Sequence, residues 1–301
     1  MDIRQLNALV AVVDHGTFSA AARALHTVQS NVSTHIARLE RDLDITLIDR
    51  TTGSLTEEGR VVVERARRVQ AELEAIRLDV TALRDEVAGV IRVGVIGTTG
   101  RWLLPRLLDA LGSTYPKVRI QVVDATTTSL VPQVVSGSLD GALVNLPIDH
   151  PDLLVEEMFE EEPMLVAPLD HPFARYDVLE PQDLGRHPLL LSPPGVAFRD
   201  SLDADLAAYD IELVAKAEVD GMRLLASLAF DGFGAALLPA TAVTSSGDWK
   251  RIPVRGLTRR VVGLVSNRRV PPSATTRAVR EVLREVIATH AHRQDGIHAA
   301  P

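Results

Sequence analysis

The sequence predicts a multi-domain fold in which an all-α winged helix-turn-helix is followed by a long linker helix and then an α/β domain of two lobes. Three observations support this prediction. Residues 1–59 contain short apolar stripes at helical spacing and then a small hairpin. Residues 60–88 carry apolar residues at the 4-3 spacing of a heptad repeat. Strands alternate with helices over residues 89–290, an order that favours a largely parallel sheet.

Three helices are predicted in the first domain. A first helix is expected from Ile3, and Ser19 is expected to cap a short second helix over 20–25. The helix-turn-helix should occupy about residues 18–37. The third helix has an apolar stripe that should face the core, formed by Val28, Val32, Ile36, Leu39 and Leu43.

A wing should follow these helices. Short apolar segments flank residues 50–54, which are rich in threonine, serine and glycine, and this pattern predicts a hairpin. Thr56 is then expected to cap the linker helix, whose first turn holds two glutamates.

The linker helix carries the most regular pattern in the chain. Its apolar seam extends over more than three heptads, with mostly charged residues between the seam positions. Such a helix either lies on its own domain or pairs with a second copy, and the length of the seam favours pairing. The seam consists of Val62, Ala66, Val69, Leu73, Ile76, Val80, Leu83 and Val87.

The α/β region at residues 89–290 is long enough for two lobes. Lobe I is predicted at about 89–161 and 267–290, and lobe II at about 162–266, with the connections between them near 161–168 and 263–267. Residues 291–301 are expected to form a flexible tail.

Composition narrows the class of protein. The chain has 301 residues, 46% of them hydrophobic, no run of eighteen apolar residues and no secretory signal, so a cytoplasmic protein is expected. There is no cysteine, which excludes disulfides, thiolate metal sites and thiol-based redox sensing. No cofactor or metal is expected, because the histidines at 290, 292 and 298 belong to the predicted tail.

The charge argues mildly against a nucleic-acid partner. The formal net charge is −8, and residues 1–59 carry five arginines against eight acidic residues, which leaves −3. Residues 20–39, however, contain no acidic residue at all. A positive field for DNA would therefore have to be local.

The chain resembles the LysR-type transcriptional regulators along its whole length. The specific part is the helix-turn-helix and wing, and weaker signatures follow in the family's order. The resemblance implies a sequence-specific DNA-binding regulator rather than an enzyme, with a small-molecule effector bound between two lobes of periplasmic-binding-protein type. It also implies double-stranded operator DNA as a partner and self-association into a homodimer or homotetramer. The residues that carry the resemblance are 18–26, 28–33, Leu39-Glu40, Leu43, Leu47, Arg50, 55–59, 103–105, 140–142, His171-Pro172, 232–234 and 237–239.

The chain departs from this family pattern at four positions. Many members have proline at the position of Ser30, arginine at Thr34, glycine at Asp44 and phenylalanine at Ile48. The missing arginine removes one expected DNA contact, which affects the operator rather than the fold.

The second helix of a helix-turn-helix places its first turns in the major groove. Its polar residues are candidates for base contacts through amide and hydroxyl groups, although each could equally belong to an ordinary solvated helix face. Arg38 and the wing residue Arg50 are expected to bind phosphates. The candidates for base contacts are Gln29, Ser30, Asn31, Ser33, Thr34 and His35.

A small organic anion is the expected effector. Ligands of open α/β sheets bind beyond the carboxyl ends of the strands, and helix N-termini there suit anions. Hydroxyls at such positions also serve as plain helix caps. The candidate effector-binding residues are Thr98, Thr99, Arg101, Thr127, Ser129, Asn145, Ser192, Phe198 and Arg199.

Two other functions are considered. Gly94, Gly97 and Gly100 after a strand imitate a dinucleotide fingerprint, but with the wrong spacing, so a nucleotide-dependent enzyme is the weaker hypothesis. A cytoplasmic α/β small-molecule-binding protein would leave the first 88 residues without a use.

Overall fold

The computed structural model describes residues 1–49, 52–82, 87–243 and 247–300. Three helices form the N-terminal domain: α1 (Ile3–His15), α2 (Phe18–Ala24) and α3 (Gln29–Leu43). Ile48 and Leu55 form an antiparallel bridge at the base of the wing. The helix-turn-helix and the wing therefore follow the predicted order.

The small residues of α2 allow close helix packing. Ala21 and Ala22 are buried beneath α1 and α3, in a core that includes Leu9 and Leu39. The predicted cap of α2 is wrong. Thr17 caps this helix, with its Oγ1 accepting a hydrogen bond from the Ala20 N–H at 3.1 Å, because the helix begins at Phe18.

The prediction that Val28 is a core residue is also wrong. Val32 and Ile36 are buried, but Val28 is 60% exposed. Val28 is the N-cap of α3 and has extended backbone angles, so the helical spacing that aligns the stripe does not apply to it.

Asp44 stands where glycine is common in the family that the chain resembles, and it adopts the left-handed backbone conformation that glycine favours. It closes α3 with φ of 55°, in the left-handed region that aspartate tolerates better than most residues. The departure at this position therefore leaves the helix end intact.

The linker is α4 (Glu57–Ala82), and Thr56 accepts the Gly59 N–H at 2.9 Å, as expected of its cap. Helix α4 packs both on α1 of the N-terminal domain and on helices of lobe I. The seam position Val87 lies beyond the helix, and Leu83 lies outside the described residues.

Lobe I contains a six-stranded sheet of order β11-β4-β10-β3-β1-β2. Strands β2, β1 and β3 are parallel, whereas β10, β4 and β11 pair antiparallel. The elements of this lobe are β1 (Gly89–Val95), α5 (Gly97–Thr114), β2 (Val118–Asp124), α6 (Thr127–Ser136), β3 (Gly141–Asn145), β4 (Leu153–Glu161), β10 (Arg260–Asn267), α10 (Ala274–His290) and β11 (Ile297–Ala299).

Lobe II contains a five-stranded sheet of order β7-β6-β8-β5-β9. This sheet is also mixed, so the prediction of largely parallel sheets is wrong for both lobes. Its elements are β5 (Pro163–Pro168), α7 (Pro181–Leu184), β6 (Leu189–Leu191), α8 (Ala197–Ala207), β7 (Ala215–Glu218), α9 (Met222–Phe230), β8 (Ala236–Pro239) and β9 (Trp249–Pro253).

One predicted lobe boundary differs from the boundary in the structure. Strand β10 was predicted to lie in lobe II, within 162–266, but it pairs with β3 and β4 and so belongs to lobe I. The chain therefore returns between Pro253 and Arg260, and not at 263–267 as predicted.

The predicted flexible tail is ordered. Residues 297–299 form β11 against β4, and Ile297 is buried. Gln294 donates from Nε2 to the Ala240 carbonyl at 2.7 Å, and His298 Nε2 lies 2.8 Å from Glu162 Oε1. These contacts join the end of the chain to the connection between the lobes.

One apolar core extends across the contact between the lobes. Buried residues of β1, α5 and α10 form a single cluster with Leu190, Leu225 and Leu238 of lobe II. A second cluster occupies the opposite side of the lobe II sheet. The shared cluster holds α5 of lobe I against α9 of lobe II, and this contact positions the cleft.

Candidate DNA-reading face and effector cleft

The first turns of α3 form an exposed face. Gln29, Ser30, Asn31, Ser33 and Thr34 are exposed, while His35 is half-buried with a buried Nδ1 that has no hydrogen-bond partner among the described residues. Arg38 is exposed one turn further along the helix. The structure therefore places all of these predicted residues on the first three turns of α3, mostly exposed.

Two of the predicted base-contact residues are already hydrogen-bonded within the domain. Asn31 Nδ2 donates to Thr27 Oγ1 at 3.0 Å, and Thr34 Oγ1 donates to the Ser30 carbonyl at 2.8 Å. Each side chain would have to exchange that bond for a base contact. Gln29 and Ser33 have no such internal bond among the described residues.

The wing is attached to α3 by Glu40. Its Oε1 accepts the backbone N–H groups of Leu47 and Ile48, at 2.9 and 3.3 Å. The wing therefore has a fixed position relative to the reading helix. The predicted phosphate contact Arg50 lies outside the described residues.

Arg260 lies at the centre of the contact between the lobes. Its guanidinium pairs with the fully buried Glu161, donates to Thr98 Oγ1 at 3.2 Å and lies 5.8 Å from the centre of the Phe198 ring. The second oxygen of Glu161 accepts the Thr241 N–H at 2.9 Å. Thr98 and Phe198, which come from different lobes, thus meet at an arginine that sequence analysis missed.

Arg199 is buried and already has its charge neutralised. Its Nε donates to both oxygens of Asp203, at 2.9 and 2.8 Å, and its Nη1 donates to the Ser192 carbonyl at 3.0 Å. Arg199 also lies 3.8 Å from Glu218. The predicted residues Ser192 and Arg199 are therefore neighbours, but their contacts hold lobe II together.

The remaining predicted residues lie around the carboxyl ends of the lobe I strands. Thr127 Oγ1 accepts the Asn145 N–H at 3.1 Å, and Ser129 Oγ accepts from Thr126 at 3.1 Å. The Asn145 Oδ1 and Thr99 Oγ1 atoms are buried without a hydrogen-bond partner among the residues that the structure describes.

Arg101 reaches from lobe I towards lobe II. The guanidinium of Arg101, in the second turn of α5, lies 5.6 Å from the centre of the Phe230 ring on α9. It thus contributes to the packing of the two helices.

An exposed ion pair joins the two lobes. Arg223 of α9 pairs with Asp124 at the end of β2, and both side chains are more than one-third exposed. A Cβ placed on Gly97, the first residue of α5, would lie 3.0 Å from Asp124 Oδ1 and 3.2 Å from Arg223 Cδ. The N-terminus of α5, a carboxylate of lobe I and an arginine of lobe II therefore meet at one point.

A cavity of about 140 Å³ lies away from this cleft, between α4 and lobe I. Its walls are mostly apolar and include Ala71, Val93, Leu107 and Leu283. None of the residues predicted to bind the effector lines it.

Comparison with known families covers both parts of the chain. The family model described as "Bacterial regulatory helix-turn-helix protein, lysR family" matches residues 3–60, and the model described as "LysR substrate binding domain" matches residues 84–288. The chain belongs to the LysR family of transcriptional regulators. This membership confirms the resemblance and favours the DNA-binding regulator over both alternatives, the nucleotide-dependent enzyme and the small-molecule-binding protein. It also confirms double-stranded DNA as a partner.

Several relatives of this LysR-type regulator are named for hydrogen peroxide. A "Probable hydrogen peroxide-inducible genes activator" of Streptomyces viridosporus is 33% identical over 95% of this chain and 92% of its own length. The "DNA-binding transcriptional dual regulator OxyR" of Escherichia coli (strain K12) is 30% identical over 98% of this chain and 97% of its own.

Solved structures share the whole fold. A full-length OxyR of Pseudomonas aeruginosa with a cysteine-to-aspartate substitution has a TM-score of 0.77 and 24% identity, covering 95% of this chain and 94% of its own. The regulator CbnR in complex with its target DNA has a TM-score of 0.69 and 22% identity, covering 97% of this chain and 100% of its own.

Two arginines at the contact between the lobes of this LysR-type regulator were not predicted from the sequence. Arg223 lies just after the Asp220-Gly221 turn, and Arg260 opens a strand, so neither belongs to a motif. Only the pairing of distant strands and the contact of α9 with α5 reveal them. Within the described ranges, no helix is both long and apolar enough to cross a membrane, and no cluster of histidine and acidic residues could hold a metal ion.

Proposed function

We propose that this LysR-type regulator reads its operator with the first turns of α3, pairs with a second copy through α4, and responds to a small organic anion bound between its lobes. The observation that supports it best is the exposed, acid-free first turns of α3, in a helix that also holds the wing through Glu40. Its place of action is the cytoplasm.

Gln29 and Ser33 are the best placed of the base contacts. Both are exposed and neither is hydrogen-bonded within the domain among the described residues, and glutamine can pair bidentately with adenine. Ser30, Asn31, Thr34 and His35 complete the face. Arg38 and Arg50 bind phosphates and set the register without reading sequence.

Binding titrations at several salt concentrations test this assignment, on DNA selected from a random library by the full-length protein and on scrambled DNA. Gln29→Ala should lose about tenfold in affinity for the selected DNA and little for scrambled DNA, since one bidentate base contact contributes about 1–3 kcal/mol. Arg38→Ala should lose affinity for both and reduce the salt slope by about one per half-site. Equal losses of Gln29→Ala on both DNAs would rule out base reading by this residue.

The linker helix supplies the self-association. Val69, Leu73, Ile76 and Val80 project from one seam of α4 and are 37–60% exposed in the single chain. Exposed apolar residues in heptad register require a partner helix. Two copies joined in this way would present two reading helices, with half-sites about 34–36 Å apart or a multiple of this distance.

The effector's acidic group is proposed to bind at Arg223 and the N-terminus of α5. Arg260 pairs with Glu161, which is fully buried, and Arg199 pairs with Asp203 on the same helix. Arg223, in contrast, pairs with Asp124 at the surface, where an ion pair contributes only about 0.2–1 kcal/mol. An anion can therefore displace Asp124 at small cost, close to the predicted Thr98, Thr127 and Asn145.

Reversible binding, and not thiol oxidation, is the proposed signal. One relative of known structure is described as a cysteine-to-serine OxyR of Corynebacterium glutamicum bound to hydrogen peroxide. The present chain contains no cysteine at any position. A thiol switch requires a cysteine thiolate, so this chain has no residue for it.

A further inference from the structure

Val28 occupies an unusual position for an apolar residue. It is the N-cap of α3, it makes no side-chain cap hydrogen bond, and it is 60% exposed. Serine, threonine, aspartate and asparagine are strongly preferred at an N-cap, and valine is among the least favourable residues there. Neither helix capping nor core packing explains this residue.

The surroundings of Val28 are those of the DNA-reading face. Gln29 and Ser30 follow it directly and are exposed, and the whole segment 20–39 has no acidic residue. The Thr27 hydroxyl, which precedes it, accepts the Asn31 amide at 3.0 Å. Val28 therefore adds an apolar surface at the end of α3 that enters the groove, where Asn31 and Thr34 are already hydrogen-bonded to the domain.

The major groove contains one apolar group that such a surface can recognise, the 5-methyl group of thymine. We propose that Val28 is a specificity-determining residue that contacts a thymine methyl at one position of each half-site. This inference rests on the proposed reading of DNA by α3. It assigns part of the specificity to an apolar contact, in a reading helix that has threonine rather than arginine at position 34.

The test replaces single thymines by deoxyuridine, which removes only the methyl group. DNA selected from a random library by the full-length protein is resynthesised with each thymine changed in turn. Wild-type protein should bind roughly three- to tenfold more weakly when one particular thymine of a half-site is replaced, as expected for the loss of one buried methyl group. Val28→Ser should lose this difference and bind both DNAs equally.

Two controls keep the result interpretable. Val61→Ser changes a valine of the same exposure on α4, and this variant should keep the wild-type response to deoxyuridine. Val28→Ser should not melt at a lower temperature than wild type, because serine supplies the missing cap.

Three outcomes would overturn the inference. Wild-type protein that binds all deoxyuridine DNAs as well as the thymine DNA excludes a methyl contact. A Val28→Ser variant that keeps the full deoxyuridine effect assigns the contact to another residue. If the selection enriches no sequence, the proposed reading by α3 fails and the Val28 contact fails with it. A selected operator that is insensitive to the methyl groups but still requires Gln29 rejects Val28 alone.

Discussion

Two carboxylates of lobe I show how the same chemical group acquires opposite properties from its surroundings. Burial raises the pKa of Asp140, although its carboxylate accepts the Arg92 N–H at 2.7 Å. Burial would also raise the pKa of Glu156, but hydrogen bonds from Arg284 and Arg280 outweigh it and lower the pKa. Ionised Asp140 therefore costs stability as the pH rises, whereas ionised Glu156 adds to it.

Glu156→Gln should lower the free energy of unfolding by about 1 kcal/mol at pH 7, since Glu156 joins β4 to two arginines of α10. The folded pKa lies below the unfolded value of about 4.3, so this stabilisation is present above that pH and is lost as the pH falls through the folded pKa. Urea denaturation between pH 3.5 and 7 measures it. Glu157→Gln, a change at the neighbouring exposed glutamate, is the control. If the difference in unfolding free energy between the Glu156 variant and wild type did not shrink in acid, the stabilising role of ionised Glu156 would be contradicted.

The linker helix shows that one element can carry two surfaces with different partners. On one side, Arg67 donates to Asp14 of the N-terminal domain at 2.5 Å and to Ser138 of lobe I at 3.1 Å, and Asp79 accepts the N–H of Ala274 at the start of α10 at 2.8 Å. The other side carries the exposed seam residues Val69, Leu73, Ile76 and Val80, whereas Ala66 of the same seam is buried. A second chain on the seam is thus connected through α4 to both the reading domain and lobe I.

Ile76→Lys should dissociate the assembly. Ile76 is 60% exposed in the single chain, and a lysine there would place an unpaired charge in the apolar interface, weakening association by about 100-fold or more. Light scattering after size exclusion measures the mass of the particle. Glu72→Lys adds a lysine to the same helix outside the seam and should leave the mass unchanged, whereas an Ile76→Lys variant with the wild-type mass would remove the seam as the interface.

At the scale of the whole molecule, the lobes are joined by contacts of very different strength. The shared apolar core forms a permanent connection, and the buried Glu161, which pairs with Arg260 inside lobe I, accepts the Thr241 N–H of lobe II. The Arg223–Asp124 pair is exposed and exchangeable. An effector can therefore alter the cleft edge without breaking the connection between the lobes.

Arg223→Ala should weaken the binding of small carboxylic acids about tenfold, because a hydrogen bond to a charged group contributes about 1.5–3 kcal/mol. Asp124→Ala should strengthen it a few-fold by freeing Arg223. Thermal shifts and calorimetry with acids of up to ten non-hydrogen atoms, each beside its neutral carboxamide, measure both effects. Arg255→Ala is the control, because Arg255 is also an exposed lobe II arginine with a carboxylate partner.

Amides that stabilise the wild-type protein as well as their acids do would exclude an anionic effector. Hydrogen peroxide is the comparison ligand, and it should leave the affinity for the selected DNA unchanged in this cysteine-free chain. A reversible peroxide response would contradict the proposed signal.

Some residues of the candidate site could be predicted from the sequence, and others could not. The exposed residues at the start of α3 could be predicted one by one, because they are nearly consecutive and share one helix. The exposure of the N-cap Val28 could not, since Val28 lies outside the helical repeat. The contact between the lobes was predicted in part. Thr98, Thr127 and Asn145 follow strands, but Arg260 and Arg223 lie far along the chain, and no local pattern connects Thr98 to Arg260 or Asp124 to Arg223.

The helix-turn-helix, the heptad seam and the order of most strands and helices could be predicted from the sequence, because each depends on spacing within a few turns or on turn residues next to them. The place of β10 in lobe I, the strand β11 near the end of the chain and the mixed order of both sheets follow from strand pairing. Strand pairing joins backbone groups more than a hundred residues apart, as for Ile297 with Glu161, and side-chain spacing does not encode it. The composition contributed one conclusion that no fold could supply: without cysteine, this regulator has no thiol-based redox switch.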